Sequence, residues 1–181
     1  PNASYAELEK APVLTAVLKE SLRLLPSVPY SRRLASREGV FGRYRIPKHT
    51  RVLFSHYMTH HMPEVYPEPE RFLPSRWETI HPSPAEYLPF GAGPRTCIGS
   101  TMAQCVIKLA LARILPAWKI DVVPHSQVDR HLGISLGPRN GLPVTLARQD
   151  RDLQKSPIAG NIHEMVELNR PMPARVVRIA A

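Results

Sequence analysis

Residues 57 to 96 are rich in proline and show no sustained periodicity of apolar residues. Proline removes a backbone donor and interrupts both helices and sheets, so this composition predicts a long coil with room for one short helix. A coil of this length inside a compact domain usually has a function. We therefore expect regular elements on both sides of a long irregular segment.

The segments that flank this coil carry helix and strand signals. Ser4 and Glu7 form a capping-box pattern that predicts a short first helix, and Pro12 suits the first turn of a second helix, which ends before Pro26. A further helix is expected after the coil, closed by Pro116. Runs of β-forming residues predict strands at 44–46, 50–55, 119–123, 132–136 and 143–147. Gly-Pro and Asn-Gly pairs predict turns at 137–138 and 140–141.

Cys97 lies where the coil ends, in the sequence Phe-Gly-Ala-Gly-Pro-Arg-Thr-Cys-Ile-Gly of residues 90–99. The glycines allow tight turns and the close approach of a flat ligand to the backbone. Arg95 can form charge-assisted hydrogen bonds with a ligand carboxylate. The next helix starts directly after the cysteine, where the helix dipole and free N–H groups stabilise a thiolate. This pattern indicates a cysteine that binds iron, and a buried structural cysteine is the alternative.

Residues 90–99 match the pattern Phe-x-x-Gly-x-Arg-x-Cys-x-Gly at every fixed position, and in this they resemble the cytochromes P450, the haem-thiolate monooxygenases. The resemblance runs from about residue 6 to about residue 148. It implies a fold that is mainly α with small β-sheets (α+β), of which this chain is the C-terminal portion. On this interpretation residues 1–150 belong to the catalytic domain and residues 151–181 form a C-terminal tail.

The resemblance also implies a haem b cofactor, iron protoporphyrin IX, with Cys97 as the axial ligand of the iron and the catalytic residue. The neighbouring residues that would contact this cofactor are Phe90, Gly91, Arg95, Ile98 and Gly99. Arg33, or its neighbour Arg32, stands where the family has an arginine for a haem propionate. The alternative for these two arginines is a solvated surface position.

Glu20 and Arg23 lie three residues apart on the second predicted helix, so their side chains share one face. Alone, they would form a surface ion pair that contributes about 0–1 kcal/mol. Their surroundings resemble the Glu-x-x-Arg helix of the cytochromes P450, and residues 67–77 resemble the meander motif, with Arg76 as its arginine. The resemblance implies a Glu20–Arg23–Arg76 triad that pins the long coil and positions the cysteine loop.

Other side chains have weaker signals. The resemblance implies substrate contacts at Val28, Ser31 and Ile134, with filling of the local core as an alternative of nearly equal weight. His56, His60 and His61 cluster in the sequence. Their spacing is not a recognised ligand pattern and no cysteine or acidic residue accompanies them, so we interpret them as structural histidines.

The formal net charge is +9, from 24 basic and 15 acidic residues. A basic surface attracts acidic partners, but the basic residues are not interleaved with aromatic ones and no nucleic-acid module is visible, so we expect no nucleic-acid partner. By the resemblance, a basic face near the cysteine would bind an acidic electron donor: a ferredoxin, a flavodoxin or a flavin reductase. A merely solvated basic surface is an equal alternative.

Cys97 and Cys105 are the two cysteines of the chain. Eight helical residues place their Cα atoms about 12 Å apart, beyond the reach of a disulfide. We therefore expect a reduced, cytoplasmic setting. The chain has no apolar run of about 20 residues and no signal peptide, so we expect no membrane segment within it. The alternative is an anchor in a preceding part of the protein.

Taken together, the resemblance implies a monooxygenase that uses O₂ and electrons from NAD(P)H to insert one oxygen atom into a small organic substrate. The sequence contains no match to the family's Ala-Gly-x-x-Thr oxygen-binding helix, so we expect the 181 residues alone to be inactive. One alternative is a haem-binding fragment without activity of its own. The other is a haem-thiolate peroxygenase or isomerase.

Overall fold

The computed structural model describes residues 4–168, which combine helices with small antiparallel sheets. The α-helices within this range are α1 (Tyr5–Glu9), α2 (Pro12–Leu24), α3 (His56–His60) and α4 (Ser100–Ile114). The 3₁₀ helices are Pro74–Glu78, Gly93–Arg95 and Asn161–Glu164. The strands are β1 (Tyr30–Leu34), β2 (Gly39–Phe41), β3 (Tyr44–Ile46), β4 (Arg51–Ser55), β5 (Trp118–Val122), β6 (Arg130–Leu132), β7 (Leu136–Pro138) and β8 (Val144–Arg148). The expected fold class, mainly α with small β-sheets, is confirmed.

The strands pair into two-stranded antiparallel sheets, β1 with β4, β2 with β3, β5 with β8 and β6 with β7. In the first sheet Arg33 is opposite Val52, and Ser31 is opposite Phe54. Helix α1 packs on α4, while α2 packs on α3 and on the 3₁₀ helix Pro74–Glu78. Helix α2 is therefore the element around which the long coil is organised.

The sequence signals at the helix ends are confirmed. The Ser4 amide donates to Glu7 over 2.7 Å, and the Glu7 amide donates to the Ser4 hydroxyl over 3.4 Å, which is a capping box. Pro12 is the first residue of α2, where its missing N–H costs nothing. Helix α4 ends at Ile114, two residues before Pro116.

The predicted strand at 132–136 is wrong. Leu132 ends β6 and Leu136 begins β7, and the residues between them form the turn of a hairpin in which the Gly133 amide donates to the Ser135 carbonyl. The turn predicted at 137–138 is also wrong, because Gly137 and Pro138 lie in β7. A terminal position in a two-stranded sheet tolerates a proline because no interior ladder bond is lost. The turn at residues 140–141 is confirmed, with Gly141 at φ +77°.

The coil predicted for residues 57–96 is confirmed. Its regular elements are the last four residues of α3, which begins at His56, and the 3₁₀ helices Pro74–Glu78 and Gly93–Arg95.

Few apolar side chains are buried in the described residues, and several of the most deeply buried side chains are polar or charged. The fully buried set includes Glu20, Arg23 and His60, each 0% exposed. A small apolar cluster joins Leu24 to Met165 and Val166. Polar contacts therefore hold much of this structure together.

The segment after β8 returns to the body of the chain and contains the 3₁₀ helix Asn161–Glu164. The division of the chain at residue 150 stays a prediction, and residues 169–181 of the predicted tail lie outside the described residues. Within residues 4–168, none of the helices combines the length and the apolar composition that a bilayer crossing requires.

Candidate active site

A cavity of about 760 Å³ opens between the segment that joins α2 to β1, strand β4 and the loop that carries Cys97. The apolar side chains in its wall include Leu22, Val28, Phe54, Leu88, Pro89 and Phe90. The polar side chains in its wall are Ser27, Ser31, Arg33, His56, Arg95 and Cys97. Its volume is in the usual range for sites that bury a small molecule or cofactor.

The Cys97 loop is closed on itself by its own backbone. The Cys97 amide donates to the Phe90 carbonyl over 2.9 Å, and the Thr96 amide donates to the Gly93 carbonyl over 3.0 Å. Gly91 and Gly93 have φ values of +72° and +69°, a conformation that favours glycine. The loop therefore has the tight turns that the sequence predicts, and its cysteine is exposed and not disulfide-bonded.

The start of α4 fixes the far side of this loop. Gly99 is the N-cap residue, and the Ser100 amide donates to the Cys97 carbonyl over 3.3 Å. Gly99 has φ −86°, which any residue adopts, and a Cβ added there would lie at ordinary contact distance, 3.9 Å, from the Cys97 sulfur. The described residues therefore give no conformational reason for glycine at position 99.

Two arginines line the cavity, and they come from different elements of the fold. Arg33 is on β1, where its Nη1 donates to the Arg32 carbonyl over 2.8 Å, while Arg95 ends the 3₁₀ helix before Cys97. The neighbouring Arg32 is not part of the cavity wall. Of the two arginines that the sequence left open, the structure places Arg33 at the cavity.

Val28 and Ser31, the predicted substrate contacts near β1, line the cavity as well. Ile134 does not: it stands at the tip of the β6–β7 hairpin and is 100% exposed. Ile98 is also fully exposed and outside the cavity wall. The structure thus brings together the predicted residues of β1 and of the cysteine loop, but not these two isoleucines.

His56 lines the cavity, which sequence analysis did not predict. It is buried, its Nδ1 lies 3.0 Å from the Val28 carbonyl, and its Nε2 lies 3.2 Å from the Ser31 hydroxyl. The imidazole therefore ties α3 to both predicted substrate contacts. Its position in a histidine cluster was the only available signal, and that cluster indicated a structural role without naming partners.

The Glu20 carboxylate accepts five hydrogen bonds. Its donors are Arg23 Nε and Nη2, Arg76 Nε, the Leu73 amide and Trp77 Nε1, at 2.9–3.1 Å. The three predicted residues of the triad are therefore in direct contact, and all are buried. Trp77 is an addition that the sequence did not predict, although an indole N–H directly after Arg76 needs a partner when it is buried.

The two arginines use their remaining donors on the carbonyls of the coil. Arg23 donates to the carbonyls of His60, Pro69 and Arg71, at 2.8–3.1 Å. Arg76 donates to those of Pro67, Glu68 and Arg71, at 2.6–3.3 Å. A coil without a sheet partner leaves its carbonyls unpaired, and buried carbonyls need donors. The guanidinium groups supply these donors, which explains how so irregular a segment is held.

Electrostatics keep this network charged. Burial raises the pKa of Glu20, but the hydrogen bond and charge of Arg23, the Leu73 amide and the charge of Arg76 outweigh burial and hold that pKa below its ordinary value. Burial lowers the pKa of Arg76, and Glu20 opposes this effect. A carboxylate among two guanidinium groups and an indole donor is therefore ionised at neutral pH, and its contribution to stability is lost as the pH falls through its lowered pKa.

His60 connects the network to the cysteine loop. Its Nε2 accepts from the Leu88 amide over 2.7 Å, so its Nδ1 carries the proton and donates to the Arg23 carbonyl over 3.2 Å. Burial lowers the pKa of His60 to about 4, so the ring is neutral at pH 7. Leu88 lies two residues before Phe90, where the loop closes. The triad is thereby linked to Cys97 through one neutral imidazole.

Within residues 4–168, no group of three or more histidine, cysteine, aspartate or glutamate side chains has the geometry to hold a metal ion. His56 and His60 instead have backbone and hydroxyl partners, as described above. The sulfur of Cys97 and the guanidinium groups of Arg33 and Arg95, around an apolar cavity, form a donor set that fits haem, with its iron and its two carboxylates.

The family model for cytochrome P450 matches residues 2–141. This chain belongs to the cytochrome P450 family. The predicted resemblance is thereby confirmed, and with it the assignment of the fold to this family. Cytochromes P450 are haem-thiolate monooxygenases, and the cofactor of the family is haem.

Named relatives include the human mitochondrial 25-hydroxyvitamin D-1 alpha hydroxylase, which is 42% identical over 126 residues. That match covers 68% of this P450 chain and 24% of the human enzyme. The beta-amyrin 6-beta-monooxygenase of Solanum lycopersicum is 34% identical, with 79% of this chain and 30% of that enzyme covered. The chain thus spans 24–30% of the length of these relatives.

Solved structures agree in fold. A retinoic acid-bound cyanobacterial CYP120A1 has a TM-score of 0.75 and 31% identity, covering 80% of this P450 chain and 35% of that one. The haem domain of cytochrome P450DA has a TM-score of 0.72 and 27% identity, covering 81% of this chain and 33% of that one. The ligands in these names are those of the relatives.

Proposed function

We propose that the protein to which this chain belongs is a haem b monooxygenase that inserts one oxygen atom from O₂ into a small, mainly apolar organic substrate. The observation that carries the proposal is the convergence of Cys97, Arg33 and Arg95 on one apolar cavity, in a chain of the cytochrome P450 family. When bound, the haem supplies the oxygen activation that no side chain provides.

The residues of the chain bind and orient this cofactor. The sulfur of Cys97 would hold the iron, and Phe90, which lines the same cavity, would cover the sulfur from water. Arg33 and Arg95 would donate charge-assisted hydrogen bonds to the propionates. The positive φ of Gly91 supports a close approach of the backbone to the ring. Backbone N–H groups just after Cys97 would donate to the sulfur and tune its electron donation.

Substrate meets the wall made by the segment that precedes β1. Val28 offers an apolar surface and Ser31 a hydroxyl, and His56 holds both through the contacts described above. Ile134, at the exposed hairpin tip, is a third contact only if a bound substrate extends that far. The apolar lining of the cavity favours a substrate with few polar groups.

Electrons come from NAD(P)H through a ferredoxin, a flavodoxin or a flavin reductase. The net charge of +9 and the exposed cysteine side of the cavity support an acidic protein as the donor. We propose a cytoplasmic location for this protein, whereas the human relative is named as a mitochondrial enzyme.

The test uses the full-length protein loaded with haem, reduced and exposed to CO. A thiolate ligand gives a red-shifted absorption band, which we expect for the wild type and for Cys105→Ala but not for Cys97→Ala. Turnover with NAD(P)H and a donor protein, compared with peroxide alone, separates a monooxygenase from a peroxygenase. A full band in Cys97→Ala would overturn the proposal.

For the 181 residues alone we propose haem binding without turnover. The support is the open cavity, beside which Phe54 is 51% exposed and Ile98 is fully exposed. An open site admits water and does not hold an apolar substrate. The isolated chain is tested by haem titration followed by an assay with peroxide, and substrate oxidation above the level of free haem would contradict this proposal.

A further inference from the structure

The segment of residues 157–167, which we call the strap, follows the last sheet and is bonded to the body along its length. The His125 amide donates to the Pro157 carbonyl, the Val128 amide to the Ala159 carbonyl, and the Ala159 amide to the Ser126 carbonyl, at 2.6–3.0 Å. At its far end the Glu167 amide donates to the Glu70 carbonyl over 2.9 Å. The strap therefore bridges the segment before β6 and the coil that the triad holds.

Gly160 lets the strap approach the backbone of Val128 more closely than any other residue would. Its φ is +110°, and a Cβ at this position would lie 2.7 Å from the Val128 carbonyl carbon and 2.9 Å from its nitrogen. These atoms belong to the backbone and cannot rotate away. A side chain at residue 160 must therefore displace either the strap or the residues that lead into β6.

The strap also holds the first residue of the β6–β7 hairpin through side chains. The Arg130 amide donates to Asn161 Oδ1 over 2.7 Å, and the Asn161 amide donates to Asp129 Oδ1 over 2.9 Å. The Arg130 guanidinium forms an ion pair with Glu164 at 2.6 Å. The hairpin therefore starts from a point that the strap fixes.

The other end of the hairpin reaches the cavity. The Leu136 amide, at the start of β7, donates to the Ser27 carbonyl over 2.7 Å, and Ser27 and Val28 line the cavity. The side chain of Leu136 packs against the apolar cluster that contains Met165 of the strap. A continuous set of contacts thus runs from the strap through the hairpin to the cavity wall.

We propose that the strap is a positioning element of the cavity, which fixes the β6–β7 hairpin and, through Leu136, the wall formed by Ser27 and Val28. It thereby sets the shape of the site in which an apolar substrate is held. This inference rests on the proposed function for its consequence in ligand binding. The residues proposed to bind the haem do not belong to the strap, so a strap variant alters the wall at Ser27 and Val28 and leaves Cys97 in place.

The experiment compares Gly160→Ala with Gly39→Ala in the full-length, haem-loaded protein. Gly39 is the matched control, because it lies in β2 with ordinary φ and a Cβ there would touch nothing within 4 Å. Imidazole and the bulkier phenylimidazole, which both bind haem iron, are the probes. We expect Gly160→Ala to change the ratio of the two dissociation constants about tenfold, which corresponds to about 1.4 kcal/mol. Gly39→Ala keeps the wild-type ratio and both variants keep the red-shifted CO band.

An unchanged ratio in Gly160→Ala with an intact CO band would overturn the inference. If that variant does not fold, Asn161→Ala replaces it; it loses the bond to the Arg130 amide and we expect a change in the ratio of about two- to threefold. If the wild type shows no thiolate band, the proposed function fails. The positioning role of the strap is then tested by amide hydrogen exchange. Faster exchange of the Leu136 amide in Gly160→Ala than in Gly39→Ala supports it, and equal exchange refutes it.

Discussion

The network around Glu20 and the loop around Cys97 are linked through His60 but differ in burial and in the kind of hydrogen bond that holds them. Glu20 and Arg23 are fully buried, and the carboxylate accepts five hydrogen bonds. Cys97 is exposed and faces a cavity, and its loop is held by backbone bonds. The comparison shows a buried polar network whose charged groups are paired beside a sulfur that stays accessible to a ligand.

The largest effect is expected from Glu20→Ala, because it leaves two buried guanidinium groups without their carboxylate. We expect a loss of about 3–5 kcal/mol in the free energy of unfolding, with failure to retain haem. The matched control is Glu38→Ala, since Glu38 pairs with Arg45 in the open, with both side chains more than half exposed. That control should cost at most about 1 kcal/mol. If chemical unfolding showed similar losses of unfolding free energy in the two variants, the prediction would be wrong, because the buried network would stabilise the protein no more than an exposed ion pair.

Acid should weaken the network before it affects the loop. The pKa of His60 is lowered from 6.5 to about 4, so between these values the unfolded chain binds a proton that the folded chain does not. Stability is therefore fully present above about pH 6.5 and falls by up to about 3 kcal/mol by pH 4. The measurement is the free energy of unfolding against pH. The slope attributable to His60 disappears in His60→Gln and remains in His81→Gln, which changes an exposed histidine; equal slopes in the two variants would contradict this.

The third prediction separates Arg33 from Arg32. If Arg33 binds a propionate, Arg33→Gln should weaken haem binding by about 1.5–3 kcal/mol, or about 10- to 150-fold, measured as transfer of haem to an acceptor protein. Arg32 is adjacent but outside the cavity wall, so Arg32→Gln should behave as the wild type. Arg95→Gln should resemble Arg33→Gln. If Arg32→Gln weakened haem retention and Arg33→Gln did not, the propionate would be assigned to Arg32 instead.

The smallest change in stability is expected at the residue with the largest role in chemistry. Because the Cys97 side chain is exposed and its loop is closed by backbone hydrogen bonds, Cys97→Ala should alter the unfolding free energy of the haem-free protein by less than about 1 kcal/mol. Chemical unfolding of haem-free wild type and variant checks this. A loss as large as that of Glu20→Ala would mean that the sulfur also supports the fold.

Sequence reasoning worked where a local pattern carried the information. The loop of Cys97 and the spacing of Glu20 and Arg23 are visible in a few consecutive residues. The structure shows tight turns in that loop and an ion pair between Glu20 and Arg23. It failed at residues 132–136, where apolar residues at both ends suggested one strand. The intervening Gly133 and Ser135 form a hairpin turn, and the partner of β7 is β6 itself.

Contacts between distant residues were less accessible. The pairing of Arg76 with Glu20 came from a family resemblance, because a separation of 56 residues leaves no periodic signal. The hydrogen-bond partners of Trp77, His56 and His60 are polar groups from distant parts of the chain, which face them only after folding. Nothing in the sequence specifies these partners.

The amino-acid sequence by itself determined the chemistry that this chain can offer: a cysteine in a glycine-rich turn before a helix, arginines for an anionic ligand, and a proline-rich coil that cannot form regular ladders. Only the tertiary structure decided which donors satisfy that coil, that Arg33 rather than Arg32 faces the cavity, and that Gly160 brings the strap against Val128. The physical reason is the range of the interactions. Backbone conformation follows from neighbours along the chain, whereas the partners of buried polar groups are chosen when distant segments pack together.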